Sequence, residues 1–435
     1  MSRLPAADVL PFLLLVAVLL LSARLLGELF RKLKLPQVMG ELTAGILLGP
    51  SCLSILAPDF YHSFFQASPN AGIAFDGLAR IGILLLLFVA GMEINLKTIR
   101  EKANAAATIS LSGIAFPFAV GFAGSWYFFN HLFPQGMEDK LASSLFMGTA
   151  LSITALSVLA KILIDIDMIK NKFGNLMMTA AMIDDFIGWM LFSLVVSVAN
   201  LKQEGGFDAW QVMFMVIGFT TFVLTIGKRL LHYAFIFSNK YLSRGGGTLS
   251  VAIVFCLLGA IFTEWIGLHA IFGAFLVGIA VGDSMQFSHK TRDMLHDIVT
   301  YIFAPLFFVS IGFRVNFIEN FDWGIIAFIL LISILGKMLG GYIGARLGKF
   351  SKSEAIAIGF GMNARGSQEI VLGLIALNAG IITDQVFVGL VIMTFVTIMM
   401  AGPMMKYFLS KGKKEYHEEG NPIDVEPKVE KDVLI

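Results

Sequence analysis

Two adjacent aspartates, Asp184 and Asp185, are the only formal charges in the apolar stretch from Phe173 to Ala199. An ionised carboxylate is expensive inside a membrane, so such residues usually face the interior of a helix bundle and mark ion or proton pathways. Two neighbouring carboxylates cannot both stay ionised at low energetic cost. The pair therefore predicts a site that either holds protons or accepts a cation. A buried acid pair that only stabilises packing is the alternative interpretation.

Lys337 is a further charge that a membrane helix would have to bury. It lies in the apolar run LLISILGKMLGGYIGARL (330–347), too deep for its side chain to reach the membrane surface easily. Its obvious partner is one aspartate of the pair. A Lys–Asp bridge that opens when a cation binds would act as a proton-coupled switch. A static buried pair that fixes packing is again the alternative.

Two further apolar segments carry polar side chains in their middle. In SSLFMGTALSITALSVLAKIL (143–163) these are hydroxyls, and in GFGMNARGSQEIVLG (359–373) they include charged and amide groups. Both segments are predicted to be broken helices, whose free carbonyls and hydroxyls bind cations and whose ends need charge compensation. The candidate ligands are Ser152, Thr154 and Ser157, and the candidate compensating residues are Asn363, Arg365 and Glu369.

Composition indicates that membrane helices hold these residues. The chain has 435 residues, of which 57% are hydrophobic and only 14% charged. Apolar runs of about 20 residues are typical of transmembrane helices. A net charge of +1 gives no indication of a nucleic-acid partner, and the two distant cysteines form no zinc-type spacing. The sequence predicts an all-α polytopic membrane protein with about 13 segments, at 9–29, 38–50, 76–95, 105–130, 140–163, 174–200, 209–229, 248–264, 268–283, 297–313, 323–346, 355–377 and 385–409.

The placement of basic residues predicts the orientation of the chain. Lys and Arg are frequent after the odd-numbered segments and rare after the even-numbered ones. By the positive-inside rule the N-terminus is outside and the C-terminus is cytoplasmic. The run 9–26 has no basic region before it and no small-residue cleavage site after it, so it is predicted to be a retained helix. The charged segment 411–435 is predicted to be a disordered cytoplasmic tail.

A weak internal repeat relates the two halves of the chain. GELTAGILLGPS (40–51) is similar to GAFLVGIAVGDS (273–284), and FVAGMEINL (88–96) is similar to FVSIGFRVNF (308–317) with one insertion. The predicted topology gives the two copies opposite directions in the membrane. Inverted repeats of this kind are typical of secondary transporters. Segments 1–6 and 8–13 would then form the two halves, linked by segment 7.

These residues resemble the monovalent cation:proton antiporter superfamily over roughly residues 9–409. The paired aspartates are similar to those of its CPA2 branch, whose electrogenic bacterial Na+/H+ antiporters carry Asp-Asp. The resemblance rests on the aspartate pair, Lys337, LPQVMGELTAGILLGPS (35–51), LLLLFVAGMEINL (84–96), FFVSIG (307–312) and NARGSQE (363–369).

The resemblance implies the sodium/proton antiporter fold, with two crossed broken helices inside an inverted repeat. It divides the membrane region 1–410 into two domains. A core domain would contain segments 4–6 and 11–13, about 105–200 and 323–409. A dimerisation domain would contain segments 1–3 and 8–10, about 9–95 and 248–313, and the core would move against it like an elevator.

Site roles follow from the same resemblance. Asp185 corresponds to the principal cation- and proton-binding carboxylate, Asp184 to the residue bridged to Lys337, and Thr154 to a group beside the sodium ion. One position departs from the family pattern. Members often have an acid two positions after the arginine of the second broken helix, whereas this chain has Ser367 there and its acid at Glu369.

The expected function is antiport of Na+, or Li+, for protons by an electrogenic homodimer in the cell membrane. The expected partners are the cation, protons and membrane lipid, with no cofactor and no enzymatic activity. A K+/H+ antiporter of the same fold and an ion channel are the alternatives. An intramembrane aspartyl protease is disfavoured, because such enzymes place their two acids on different helices, one of them in a G-x-G-D context.

Overall fold

The structure is a computed structural model in which every regular element of the described residues is helical. It describes residues 4–33, 35–65, 68–94, 103–133, 139–166, 168–169, 171–200, 209–242, 246–266 and 268–419. Ten helices within these ranges are long and apolar enough to cross a membrane. The remaining predicted segments are one helix of 13 residues and two segments that are each split into half-helices.

Thirteen membrane segments therefore follow one another along the described chain. The first seven are α1 (Ala6–Lys32), α2 (Gln37–Leu48), α3 (Pro69–Met92), α4 (Ala103–Tyr127), the half-helices α5a (Lys140–Ala150) and α5b (Leu156–Asp165), α6 (Lys172–Asn200), and α7 (Ala209–Phe222 and Lys228–Tyr241, joined by the π-helical turn Val223–Gly227). The other six are α8 (Gly246–Trp265), α9 (Ala270–Gly282), α10 (His289–Ile298 and Ala304–Gly312, joined by the π-helical turn Val299–Phe303), α11 (Trp323–Leu347), the half-helices α12a (Lys352–Met362) and α12b (Ser367–Asn378), and α13 (Asp384–Glu419). Short helices at Leu53–Leu56, Pro58–Phe65 and Phe129–Leu132 lie between them.

Four predicted boundaries differ from the structure by seven residues or more. α3 begins at Pro69 rather than at 76, where Ser68 caps its first turn. Segment 7 continues to Tyr241, and α10 begins eight residues before the predicted start at 297, because Ser288 caps its first turn. The last helix runs to Glu419, so the predicted disordered tail from 411 begins inside a helix. Six of residues 411–419 are Lys or Glu, which are good helix formers, and the next proline is Pro422. Residues 420–435 lie outside the described part of the chain, as do the basic residues Lys34, Lys97, Arg100, Lys102, Lys170 and Arg244.

Side-chain caps define the residue at which several helices begin. Ser68, Asp139 and Asp322 each accept a hydrogen bond from the backbone N–H three residues later. Ser351 and Glu354 form a reciprocal capping box at the start of α12a. Such caps satisfy backbone donors that the helix itself leaves free. Asp139 and Ser351 cap the outer ends of the half-helices α5a and α12a, whose inner ends meet inside the bundle.

Helix contacts divide the bundle into two groups. α4, α5a, α5b, α6, α11, α12a, α12b and α13 pack against one another, and α1, α2, α3, α8, α9 and α10 form the second group. The groups meet where α6 faces α9. There the rings of Trp189 and Phe275 lie 5.7 Å apart between centroids.

Glycines allow the closest helix approaches in the second group. A methyl group at Gly45 in α2 would overlap the carbonyl of Val309 in α10, and one at Gly278 in α9 would overlap the carbonyl of Phe88 in α3. Gly45 and Gly278 are equivalent positions of the sequence repeat. The two helix pairs therefore repeat one packing contact, which only residues without a side chain permit.

Candidate functional site

Two interrupted helices cross in the centre of the first helix group. α5a and α5b are separated by residues 151–155, and α12a and α12b by residues 363–366. The Ala155 N–H donates to the Ala364 carbonyl over 2.8 Å. A methyl group at Gly366 would lie 2.9 Å from the Cβ of Ala155, so this glycine allows the backbones to cross closely. The crossing leaves four half-helix ends without their usual continuation.

Arg365 compensates the C-terminal end of α5a. Its guanidinium donates to the carbonyls of Ala150, over 2.8 Å, and Leu151, over 2.6 Å. A cation at a helix C-terminus is favourable because the terminal carbonyls carry partial negative charge. The side chain of Arg365 is completely buried. Residues 151–155 contain neither Gly nor Pro, so the interruption of this helix depends on partners such as Arg365 rather than on local propensity.

Glu369 compensates the N-terminal end of the half-helix α12b. Its Oε2 accepts a hydrogen bond of 2.7 Å from the Gly366 N–H, at the N-terminus of α12b. A carboxylate is favourable there because the free N–H groups carry partial positive charge. The Oε1 atom lies 3.9 Å from Arg365 Nη1, so the two buried charges also form an ion pair. Glu369, which stands two positions later than the acid of many family members, thus lies one helical turn after Arg365.

Asp184 is the centre of a buried polar network. Lys337 Nζ lies 2.6 Å from its Oδ2, and neither side chain has any exposed surface. Ser110, on α4, donates to its Oδ1. The Thr154 hydroxyl lies 2.8 Å from Oδ2 and 2.6 Å from the carbonyl of Met362, the last residue of α12a. Because Thr154 has one hydroxyl hydrogen, it donates to only one of these oxygens at a time. Both carboxylate oxygens of Asp184 therefore have partners.

Lys337 uses carbonyl groups as well as the carboxylate. Its Nζ donates to the carbonyl of Gly113 on α4 over 2.9 Å and to the carbonyl of Ser152 in the interruption of α5. An ammonium group has three hydrogens, and with Asp184 each hydrogen has an acceptor. A fully satisfied buried charge of this kind avoids the large penalty of an unpaired one.

Asp185 has a very different environment from its neighbour. It is 2% exposed, and its Oδ2 accepts a hydrogen bond of 3.0 Å from Gln368 Nε2. Among the described residues, neither its Oδ1 nor Gln368 Oε1 has a hydrogen-bond partner. Asn363, between α12a and α12b, is also buried, and neither of its side-chain polar atoms has a partner in the part of the chain that the structure describes. Buried oxygens are normally hydrogen-bonded, so unused ones beside a carboxylate provide ligand capacity for a hard cation.

The structure places the predicted residues unequally around this site. Thr154, Asn363, Arg365 and Glu369 are buried at the crossing. Ser152 contributes its carbonyl, because its hydroxyl donates back to the Thr149 carbonyl over 2.8 Å. The prediction of Ser157 as a ligand is not supported by its position, because it lies exposed in the first turn of α5b.

Sequence reasoning gave no role to three groups that contact the charges: Ser110, the Gly113 carbonyl and Gln368. Ser110 and Gly113 lie on α4, where nothing in the local pattern marks them as partners of a distant acid. Only Pro117, four residues after Gly113, could have indicated a free carbonyl in that helix. Gln368 lies within the polar run of the second broken helix, and its amide oxygen is an ordinary ligand type for a hard cation, so this run was the signal that could have identified it.

Comparison with known protein families agrees with this arrangement. The family described as "Sodium/hydrogen exchanger, transmembrane" matches residues 15–411. The Na(+)/H(+) antiporter NhaS4 of Synechocystis sp. is 32% identical over 90% of this chain and 95% of its own length. The Na(+)/H(+)-K(+) antiporter GerN of Bacillus cereus is 28% identical over 91% of this chain and 96% of its own length.

Larger relatives and solved structures match the same region. Cation/H(+) antiporter 17 of Arabidopsis thaliana is 31% identical over 94% of this chain, which spans about half of that relative's length (50%). The sodium proton antiporter MjNhaP1 of Methanocaldococcus jannaschii, solved at pH 8, superposes with a TM-score of 0.67 at 15% identity. The superposition covers 93% of this chain and 99% of that one. At this identity the match establishes a shared fold.

Proposed function

Because the chain belongs to the family of transmembrane sodium/hydrogen exchangers, we propose that it exchanges a monovalent cation for protons across the cell membrane. The observation that carries the proposal is the contrast between the two aspartates. Asp184 is saturated by Lys337 and two hydroxyls, whereas Asp185 has a free oxygen in a buried, polar surrounding. Na+ is the cation that we propose, with Li+ as a second substrate.

Proton and cation would compete for Asp185. A neutral, protonated Asp185 needs no counter-charge in the bundle, which makes the proton-loaded site stable while it is closed to water. When the carboxyl loses its proton, Oδ1 can bind a cation together with Gln368 Oε1 and groups at the helix crossing, among them Thr154. Transport would then fall at low pH, because protonation removes the ligand, and rise as the pH increases.

Lys337 would decide how much charge each cycle moves. With Asp185 protonated and Asp184 paired to Lys337, the site has no net charge. If the arriving cation takes both carboxylates and Lys337 keeps its proton, the loaded site is again neutral, and one proton is exchanged for one cation. If Lys337 also releases its proton, two protons are exchanged for one cation and the cycle moves one charge. We propose the second, electrogenic cycle.

The division of helices suggests how the site would reach both sides of the membrane. We propose that the group with both broken helices, about 105–200 and 323–409, is a moving core domain. The glycine-packed group, about 9–95 and 248–313, would remain fixed and form the interface of a homodimer. The close backbone contacts within each group support movement as two bodies. Cysteine labelling of intact cells would test the proposed outside N-terminus and cytoplasmic C-terminus.

Antiport in proteoliposomes is the direct test. Purified protein is reconstituted with a pH-sensitive dye inside, and Na+, Li+ or K+ is added at several pH values, with and without an imposed potential. Wild-type protein should release protons when Na+ or Li+ is added, and Asp185→Asn should abolish this exchange. Normal antiport by Asp185→Asn would refute the assignment. Cation flux without counter-movement of protons would instead indicate a channel.

K+/H+ exchange is the second candidate. One relative, GerN, is named an Na(+)/H(+)-K(+) antiporter, and the ligand groups around Asp185 are oxygen and amide groups that either ion can use. The same proteoliposomes decide the question. A lower KM for K+ than for Na+ would replace sodium with potassium as the substrate.

A further inference from the structure

The Gly113 carbonyl, which Lys337 contacts, is free because of a proline. In an α-helix each carbonyl accepts a hydrogen bond from the N–H four residues later. The residue four positions after Gly113 is Pro117, which lies inside α4 and has no N–H. The carbonyl is therefore available to Lys337 Nζ, which donates to it over 2.9 Å. We propose that Pro117 is a positioning residue that keeps this carbonyl available for Lys337 throughout the transport cycle.

Close packing of α11 against α4 brings Lys337 to the Gly113 carbonyl. On α11, Gly336 and Gly340 flank Lys337 by one and three residues, and a methyl group on either would lie within 3.2 Å of Pro117 atoms. These two glycines let α11 approach α4 at the proline itself. Gly113 has no side chain of its own, and a methyl group there would lie 3.9 Å from Lys337 Nζ. Pro117 thus forms the surface of α4 that α11 contacts and also leaves the Gly113 carbonyl available to Lys337.

The carbonyl matters most after the Lys–Asp bridge has opened. This inference rests on the proposed role of Lys337, in which the arriving cation takes Asp184 away from it. Lys337 is then left with the carbonyls of Gly113 and Ser152 as its acceptors. A neutral amine has two hydrogens and an ammonium three, so in both forms both carbonyls are needed. Losing one acceptor therefore penalises the cation-loaded state more than the paired state.

Pro117→Ala tests this directly, because it supplies an N–H that competes with Lys337 for the Gly113 carbonyl. The KM for Na+ should rise about tenfold, equivalent to about 1.4 kcal/mol, while kcat changes little. Pro117→Gly supplies the same N–H without the methyl group and should give the same KM. The matched control is Pro403→Ala in α13. Its added N–H would meet the carbonyl of Met399, a residue with an exposed side chain, so KM should be unchanged.

A double-mutant cycle separates positioning from a general effect on the fold. In the Lys337→Ala background Pro117→Ala should no longer change KM, because the carbonyl has no amine to hold. The proposal is overturned if KM is unchanged in both Pro117 variants, if Pro403→Ala raises it equally, or if the rise persists without Lys337. Failure of the antiport assignment would be seen separately, as normal exchange by Asp185→Asn.

Discussion

The Asp184–Lys337 pair can be tested by removing each charge separately and then both together. Both side chains are fully buried, so solvent does not screen the pair. Lys337→Met leaves Asp184 without a counter-charge, and Asp184→Asn leaves Lys337 with carbonyl partners only. Because an unpaired buried charge is unfavourable, we expect Asp184 to bind a proton in Lys337→Met and Lys337 to lose one in Asp184→Asn. Keeping an aspartic acid protonated at pH 7, or a lysine deprotonated, costs about 4 kcal/mol relative to their ordinary states in water.

The two single variants should respond to pH in opposite directions. In Lys337→Met the native state holds a proton on Asp184 that the unfolded state releases, so stability falls as the pH rises. In Asp184→Asn the native state holds a neutral Lys337 while the unfolded state binds a proton, so stability increases as the pH rises. Each slope is at most about 1.4 kcal/mol per pH unit. The double variant has neither charge and should follow the pH dependence of wild type.

Melting temperatures of the detergent-solubilised protein between about pH 6 and about pH 9 measure these slopes. The double variant should be less destabilised than the sum of the single ones by about 3 kcal/mol, because neither leftover charge remains. Glu28→Gln, which changes a partly exposed carboxylate that pairs with Arg31 in the same helix, is a suitable control for a general charge effect. Equal slopes in both single variants, or strictly additive destabilisation, would refute the reasoning.

Two further predictions concern the helix crossing and the glycine contacts. Arg365→Ala leaves the carbonyls of Ala150 and Leu151 and the carboxylate of Glu369 without their cation. The variant should therefore be less stable by about 3–5 kcal/mol. A wild-type melting temperature for Arg365→Ala would contradict the role of Arg365 at the helix end. Gly278→Ala should lower the melting temperature, because its methyl group overlaps the Phe88 carbonyl. The control is Gly77→Ala, whose methyl group has nothing within 4 Å and should be neutral or stabilising by about 1 kcal/mol. Equal melting temperatures for the two variants would argue against close packing of α3 and α9.

Much of the fold could be predicted because its signals are local. Hydropathy located thirteen segments, since each must be apolar over the thickness of a membrane. The glycines of the internal repeat indicated which helices occupy equivalent positions, and the structure shows Gly45 and Gly278 in equivalent contacts. Helix ends were predicted less well, as α10 shows. Its first turns are polar, and its start depends on the Ser288 cap rather than on hydropathy.

The site was only partly predictable. An acid pair and a lysine in apolar runs indicate function by their energetic cost, so Asp184, Asp185 and Lys337 could be selected without a structure. Hydroxyls are common in membrane helices for packing and back-bonding, so their type alone does not identify ligands. Ser152, Thr154 and Ser157 illustrate this. They share one segment, yet one uses its carbonyl, one its hydroxyl, and one lies exposed.

The sequence by itself determined which charges must lie in the membrane and which segments must bury them. It did so because apolar runs and charge placement are properties of neighbouring residues. Only the tertiary structure decided that Asp184 is saturated while Asp185 has a free oxygen. Their partners come from other helices, Ser110 from 74 positions away and Lys337 from 153. Such contacts depend on how helices pack and where their backbones are interrupted, and no local pattern encodes that geometry.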